Sequence, residues 1–157
     1  MKSDPKLISA LNKLLSEELT AVNQYMLHSE MCAHWGYHEL HEMIEARAID
    51  EMRHCEQHIS RILFLEGAPD ASKYETLSIG QDVKEMIEND TVLEVEAVKS
   101  YNKVIALAGD LGDEATADYL VAILNDEERH VDWGEKQLVQ IEQMGLDNYL
   151  ANMASEE

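Results

Sequence analysis

The frame Asp-Glu-x-Arg-His occurs twice in this 157-residue chain, at Asp50 to His54 and again at Asp126 to His130, 76 positions later. The same offset pairs Glu18 with Glu94, Tyr25 with Tyr101 and Gly36 with Gly112. Each half thus carries a glutamate, a second glutamate 33 residues on, and a histidine three positions further. With glutamate so abundant, about one Glu-x-x-His string would arise by chance. The shared offset with a remote Glu, a Tyr and a Gly is what chance does not supply. Whatever this chain folds into has to hold two copies of that constellation.

The residues around the repeat read as helix. Pro is rare, at two residues, only seven Gly occur, and Ala, Leu, Glu and Met are good helix formers. That composition predicts an all-α fold. Ser3 or Asp4 can cap a helix with Pro5 in its first turn. From there Leu7, Leu11, Leu14, Glu18, Ala21, Tyr25 and His28 recur at helical spacing and place a carboxylate on a buried stripe. Leu40, Ile44, Glu51, His54, His58 and Ile62 form the stripe of a second helix. Ile49, Met52, Ile59 and Leu63 make a further apolar line beside it, which calls for something else to bury against, such as another subunit. Val83, Ile87, Glu94, Ala97, Tyr101, Val104 and Ala108 mark a third stripe. Leu120, Ile123, Glu127, His130, Val131, Leu138 and Ile141 mark a fourth.

The helices are expected over residues 5–35, 37–65, 82–109 and 114–144, with a short fifth at 146–153, all in one domain spanning 1–157. The linker from Glu66 to Gln81 is long enough, at ~50 Å extended, to cross helices of ~42 Å. The architecture implied is a helical hairpin used twice, with one long crossover: a four-helix bundle. Glu18 and His54 are symmetric about Gly36, as Glu94 and His130 are about Gly112, so in each hairpin the two meet at one height, ~27 Å from the turn.

Glu and His at i and i+3 project from the same helix face. Two such pairs plus Glu18 and Glu94 bring four carboxylates and two imidazoles into one core. Burying uncompensated charge costs several kcal/mol, and two divalent cations balance four carboxylates. Mixed carboxylate and imidazole ligands suit iron or manganese rather than the thiolate sites of structural zinc. The set is that of ferritin-like dinuclear carboxylate proteins. Glu51 and Glu127 would bridge both ions, Glu18 and His54 completing one and Glu94 and His130 the other. Asp50 and Asp126 are placed to orient the ligand histidines, and Tyr25 and Tyr101 to hydrogen-bond the carboxylates. His28, His34, His38, His41 and His58 are not expected to be ligands, although His58 lies one turn past His54, beside the site.

The formal charge of −20 argues against nucleic acid and anionic membrane surfaces as partners and favours cations. No stretch approaches the ~20 apolar residues of a membrane span, and no apolar segment follows Met1 to Pro5 as in a signal peptide. Cys32 and Cys55 form no C-x-x-C pair and read as reduced, core-facing thiols of a cytoplasmic protein. Their spacing also excludes an appended rubredoxin-like iron site.

The segments Leu11 to Leu15, Glu18 to Tyr25, Ile49 to His54, Arg61 to Gly67, Asp126 to His130 and Met144 to Leu150 make the chain resemble the bacterioferritins from end to end. The resemblance implies a ferritin-like homo-oligomeric shell of about two dozen subunits, and a ferroxidase centre that oxidises Fe(II) with dioxygen or peroxide. It also implies storage of the ferric mineral inside. It further implies a b-type haem between two-fold-related subunits with Met52 of each as axial ligand. An electron-donating ferredoxin would be a partner of such a shell. Glu45 and Met26 depart from the larger aromatic groups that many relatives carry near the haem. Ala46 stands where several relatives have a histidine that, with Asp50, holds iron on the cavity wall, so no such inner-surface relay is expected. Glu66 and Asp132 are candidate pore residues from acidic position alone. The alternatives are a dinuclear iron or manganese oxidase or catalase without storage, and a metal-free helical interaction module.

Overall fold

The computed structural model describes residues 1–154, and its described residues form five helices and no strands. They are α1 (Pro5–His34), α2 (His38–Phe64), α3 (Val83–Asp110), α4 (Glu114–Met144) and α5 (Leu146–Met153). This is the expected all-α class, a ferritin-like bundle of four long helices with a short fifth. Among the described residues no helix is long and apolar enough to cross a membrane.

Local chemistry sets the helix ends. Asp4 caps α1 by accepting from the Lys6 amide at 2.8 Å, with Pro5 in the first turn where its missing N–H costs nothing. Asp82 accepts from the Glu85 amide to start α3, and Asp113 from the Thr116 amide to start α4. Gly36 and Gly112 both have positive φ, 88° and 74°, and end the first helix of each hairpin. Beyond each, an amide closes back on the helix, Tyr37 to the Cys32 carbonyl and Asp113 to the Ala108 carbonyl. Those two pairs are related by the 76-residue offset, so the repeat reaches into the turns.

The crossover is fastened to α1 by a row of polar side chains. Asn12 takes the Asp70 amide, Thr20 the Glu75 amide, Gln24 the Ser78 amide, and His28 the Gly80 amide at 3.0 Å. The linker therefore runs alongside α1 in the same direction and delivers the chain to the start of α3. That makes α3 antiparallel to α1, and α4 antiparallel to α2. Gly80 is required where the linker meets α3, because a Cβ there would lie 2.3 Å from the Met86 amide nitrogen.

The apolar core comes in two halves. One, at the Gly36 end, includes Tyr25, Cys32, Leu40, Ile44, Met86, Ile87 and Ile141, and is closed by Tyr149 and Met153 of α5. The other, at the Gly112 end, includes Leu7, Leu11, Leu14, Ile62, Val104, Leu120 and Ile123. Between the two halves lies a layer of buried charged side chains. Cys32 and Cys55 are buried free thiols, as expected, and burial pushes both up to about 12.

Candidate metal centre

The charged layer consists of Glu18 of α1, Glu51 and His54 of α2, Glu94 of α3, and Glu127 and His130 of α4, each buried at 7% exposure or less. All six sequence-derived candidates thus meet in one place. Their donor atoms fall into two groups, each with every atom within 4.8 Å of the others: Glu18, Glu51, His54 and Glu127, and Glu51, Glu94, Glu127 and His130. Glu51 and Glu127 belong to both.

His54 Nδ1 lies 2.9 Å from Glu127, 3.3 Å from Glu18 and 3.4 Å from Glu51. His130 Nδ1 lies 2.8 Å from Glu51 and 3.3 Å from Glu94. The far nitrogen of each ring is held from outside by a carboxylate on the opposite hairpin. His54 Nε2 meets Asp126 at 2.9 Å and His130 Nε2 meets Asp50 at 3.3 Å. Donation of Nε2–H to these aspartates leaves the Nδ1 lone pairs facing the centre.

The tyrosines cross in the same way. The Tyr101 hydroxyl of α3 donates to Glu18 of α1 at 2.8 Å, and the Tyr25 hydroxyl of α1 donates to Glu94 of α3. Each tyrosine sits two turns along its own helix from the glutamate of that helix, ~10 Å away. Antiparallel packing brings the other helix's glutamate within reach instead.

Several supporting residues had no signal in the repeat. Asp90 sits one turn before Glu94 and binds His28 Nδ1 at 2.9 Å and Gln24 at 2.8 Å. Arg47 stacks over the Trp133 ring at 4.0 Å. His58, fully buried, bonds Tyr101 through Nε2 at 2.6 Å and Tyr119 through Nδ1 at 3.0 Å. His58 is therefore not among the six converging groups but holds one of their hydrogen-bond partners.

The electrostatics separate the four glutamates into two kinds. Burial and the neighbouring carboxylates push Glu51 and Glu127 well above the usual range. Burial also opposes ionisation of Glu18 and Glu94. The close approach of Glu51 and His54 nevertheless holds Glu18 down to about 2, and that of Glu127 and His130 lowers Glu94. Burial lowers the two imidazoles, but the carboxylates crowded around them outweigh it and raise both. Without metal, then, burial and the neighbouring charges favour the protonated forms of Glu51, Glu127, His54 and His130. His58, by contrast, is lowered to about 4 by burial and stands neutral.

Four atoms of the layer nevertheless stand without partners. Glu51 Oε1, Glu94 Oε2, Glu127 Oε1 and His130 Nδ1 are fully buried and have no hydrogen-bond partner among the described residues. His130 Nδ1 and Glu51 Oε1 are 2.8 Å apart yet wrongly angled for one. Such orphaned atoms normally mark a missing partner. Close contact without hydrogen-bond direction, four hard oxygens and two imidazoles fit a pair of cations.

A cavity of about 150 Å³ reaches this layer, lined by Glu18, Glu51, Glu94 and Glu127 within and by Lys13, Glu75 and Glu96 at the surface. Glu66 and Asp132 do not line it. Glu66 pairs with the N-terminal amine at 3.3 Å and Asp132 with Lys136 at 2.5 Å.

The ferritin-like domain family matches residues 8–144. The chain is 40% identical over 155 residues to the bacterioferritin of Mycolicibacterium paratuberculosis, covering 99% of this chain and 98% of that one. It is 39% identical over 153 residues to that of Streptomyces coelicolor, covering 98% and 92%. It is 40% identical over 156 residues to the bacterial ferritin of Synechocystis, covering 99% and 100%. It belongs to the bacterioferritins.

On this bacterioferritin chain Met52 is exposed, on a face of α2 that also exposes Ile49 and Leu63. It points away from the buried layer, as its position one residue after Glu51 requires. Met26 is exposed as well. Asp50, although its expected companion position is Ala46, is engaged with His130.

Proposed function

We propose that this bacterioferritin is an iron store that oxidises Fe(II) to Fe(III) at two metal positions and keeps the ferric product inside a shell of 24 copies in the cytoplasm. The observation that carries this reading is the sharing of Glu51 and Glu127 between two ligand groups, with four buried donor atoms left without hydrogen bonds.

Glu51 and Glu127 bridge the positions, Glu18 and His54 serve one, and Glu94 and His130 the other. Iron is the substrate here: two Fe(II) give up two electrons, which dioxygen or peroxide accepts. The chain's part is to hold geometry. Asp126 and Asp50 fix the histidine rings, Tyr101 and Tyr25 fix the terminal glutamates, and the two apolar halves of the core exclude bulk water. Supporting partners of this kind are worth ~10- to 100-fold in metal affinity or activity. The cavity past Lys13, Glu75 and Glu96 offers Fe(II) an acidic way in.

The exposed apolar line of Ile49, Met52 and Leu63 supports subunit contact across α2 and suits Met52 as the axial ligand of a b-type haem. A ferredoxin would be the electron donor for release of stored iron.

Anaerobic titration with Fe(II) followed by oxygen tests the reading. Two irons per subunit should bind and oxidise, and Glu127→Ala should abolish the fast phase. Oxidation by Glu127→Ala at the parent rate would remove the site assignment. A monomer or dimer in sizing chromatography would favour an oxidase or catalase without storage.

A further inference from the structure

We propose that Tyr119, His58 and Tyr101 form a proton relay from the surface to the Glu18 side of the centre. The contacts are continuous: Tyr119 hydroxyl to His58 Nδ1 at 3.0 Å, His58 Nε2 to Tyr101 hydroxyl at 2.6 Å, Tyr101 hydroxyl to Glu18 at 2.8 Å.

The proton positions along it are determined. Tyr101 has one hydroxyl proton and gives it to Glu18, so its oxygen must accept from His58. His58 therefore carries its proton on Nε2, and the bare Nδ1 accepts from Tyr119. Every donor in the chain points inward. The outer end lies at the surface, where half-buried Tyr119 lines a groove with Glu56, Ser60 and Arg61.

The other half of the repeat lacks this device. Seventy-six residues after His58 stands Gly134, and a Cβ there would lie 2.2 Å from Thr91 Oγ1. Thr91 fills the space and donates its proton to the Ile87 carbonyl at 2.7 Å. Among the described residues, the Tyr25 hydroxyl hydrogen-bonds only to Glu94 and, at 3.5 Å, to the Asp90 carbonyl. The pseudo-symmetry of the bundle is broken where one side keeps an imidazole and the other does not.

The use of the proton rests on the oxidation reading above. Two Fe(II) release two electrons. Dioxygen taking them also takes two protons and leaves as hydrogen peroxide; peroxide doing so leaves as two waters. For each proton, Tyr101 releases its own through the Glu18 oxygen to the reduced acceptor. His58 reprotonates Tyr101, Tyr119 reprotonates His58, and solvent in the groove reprotonates Tyr119. The His58 ring, then protonated on Nδ1, rotates or exchanges before the next transfer.

Two measurements test it, after an anaerobic Co(II) titration of the unsubstituted protein. Failure to bind two Co(II) per subunit there overturns the dinuclear reading itself, before any relay variant is made. The first test is nitrogen-15 NMR of the histidine-labelled, metal-free assembly, with the His58 signals assigned by their loss in His58→Gln. A bare Nδ1 and a protonated Nε2 are expected; a proton on Nδ1 overturns the relay whatever the centre does. The second uses Tyr119→Phe, which keeps the ring and touches none of the six groups. It should bind two Co(II) as before, yet oxidise saturating Fe(II) about 10-fold more slowly, below the ~10²–10⁴ of a direct acid or base because water partly substitutes. An unchanged rate with an unchanged solvent deuterium effect overturns the proposal.

Discussion

Tyr101 on α3 donates its hydroxyl proton to Glu18 on α1 across 2.8 Å, although the sequence sets these residues 83 positions apart. The relation is reciprocated by Tyr25 and Glu94, and again by Asp126 with His54 and Asp50 with His130. Every group that positions a member of the buried layer comes from the other hairpin. The two hairpins, whose backbones are joined by one exposed crossover, are thus locked together through the layer that is costliest to bury.

Tyr101→Phe should weaken that lock measurably. It strips Glu18 of a donor and leaves the His58 Nε2–H buried without an acceptor, a loss of about 1–3 kcal/mol. For a chain of this length that corresponds to a fall in Tm of roughly 3–10 °C, read by thermal denaturation of the metal-free protein. An unchanged Tm would mean that the contact carries no stability.

Cation binding should release protons in a fixed number. The four groups that hold protons in the metal-free layer, Glu51, Glu127, His54 and His130, carry the same charge as two divalent ions. Binding two ions near neutral pH should therefore expel about four protons per subunit. Titration with Co(II) in weakly buffered solution, followed by a pH indicator, measures this. Release of one or none would show that the layer is already ionised.

The stability of the metal-free protein should fall as pH rises. Glu51, Glu127, His54 and His130 all have raised folded values, so across the window above their unfolded values the folded state binds more protons. Their contribution is full below the unfolded values and is lost as pH climbs through the folded ones. Glu18 and Glu94, held low, act oppositely: their contribution is full above the unfolded carboxylate value and is lost as pH falls through the folded one. Tm should therefore drop between about pH 5 and about pH 8, and a saturating divalent cation should remove most of that slope. A metal-free Tm that rises over this range would contradict the assignment.

Met52 offers a separate test of the apolar face on α2. The protein purified with haem should show the absorption of thioether-ligated iron, and Met52→Leu should lose it. A band that survives the substitution would place any haem elsewhere.

Much of this was legible because helical spacing and an internal repeat are both written in the chain. Glu18, Glu51, His54, Glu94, Glu127 and His130 could be brought together on paper, since an antiparallel hairpin equates distance from its turn with height. The crossing of Tyr25 and Tyr101 could not, because it depends on which helices become neighbours after the linker returns along α1. Asp90, Arg47, Trp133 and Tyr119 have no repeat partner of like chemistry, so the signal that revealed the ligands was silent about them. His58 was visible as a neighbour of the site but its role was not, since only the packed structure shows that Gly134 leaves the opposite side without an imidazole.

A pair of cations among the buried carboxylates would offset the cost of burying them. Anomalous diffraction at the iron edge, from crystals soaked anaerobically in Fe(II), tests it most directly. The account predicts two peaks per subunit, both within bonding reach of Glu51 and Glu127, one beside His54 and the other beside His130. Peaks confined to the surface, or none in the bundle, would contradict it.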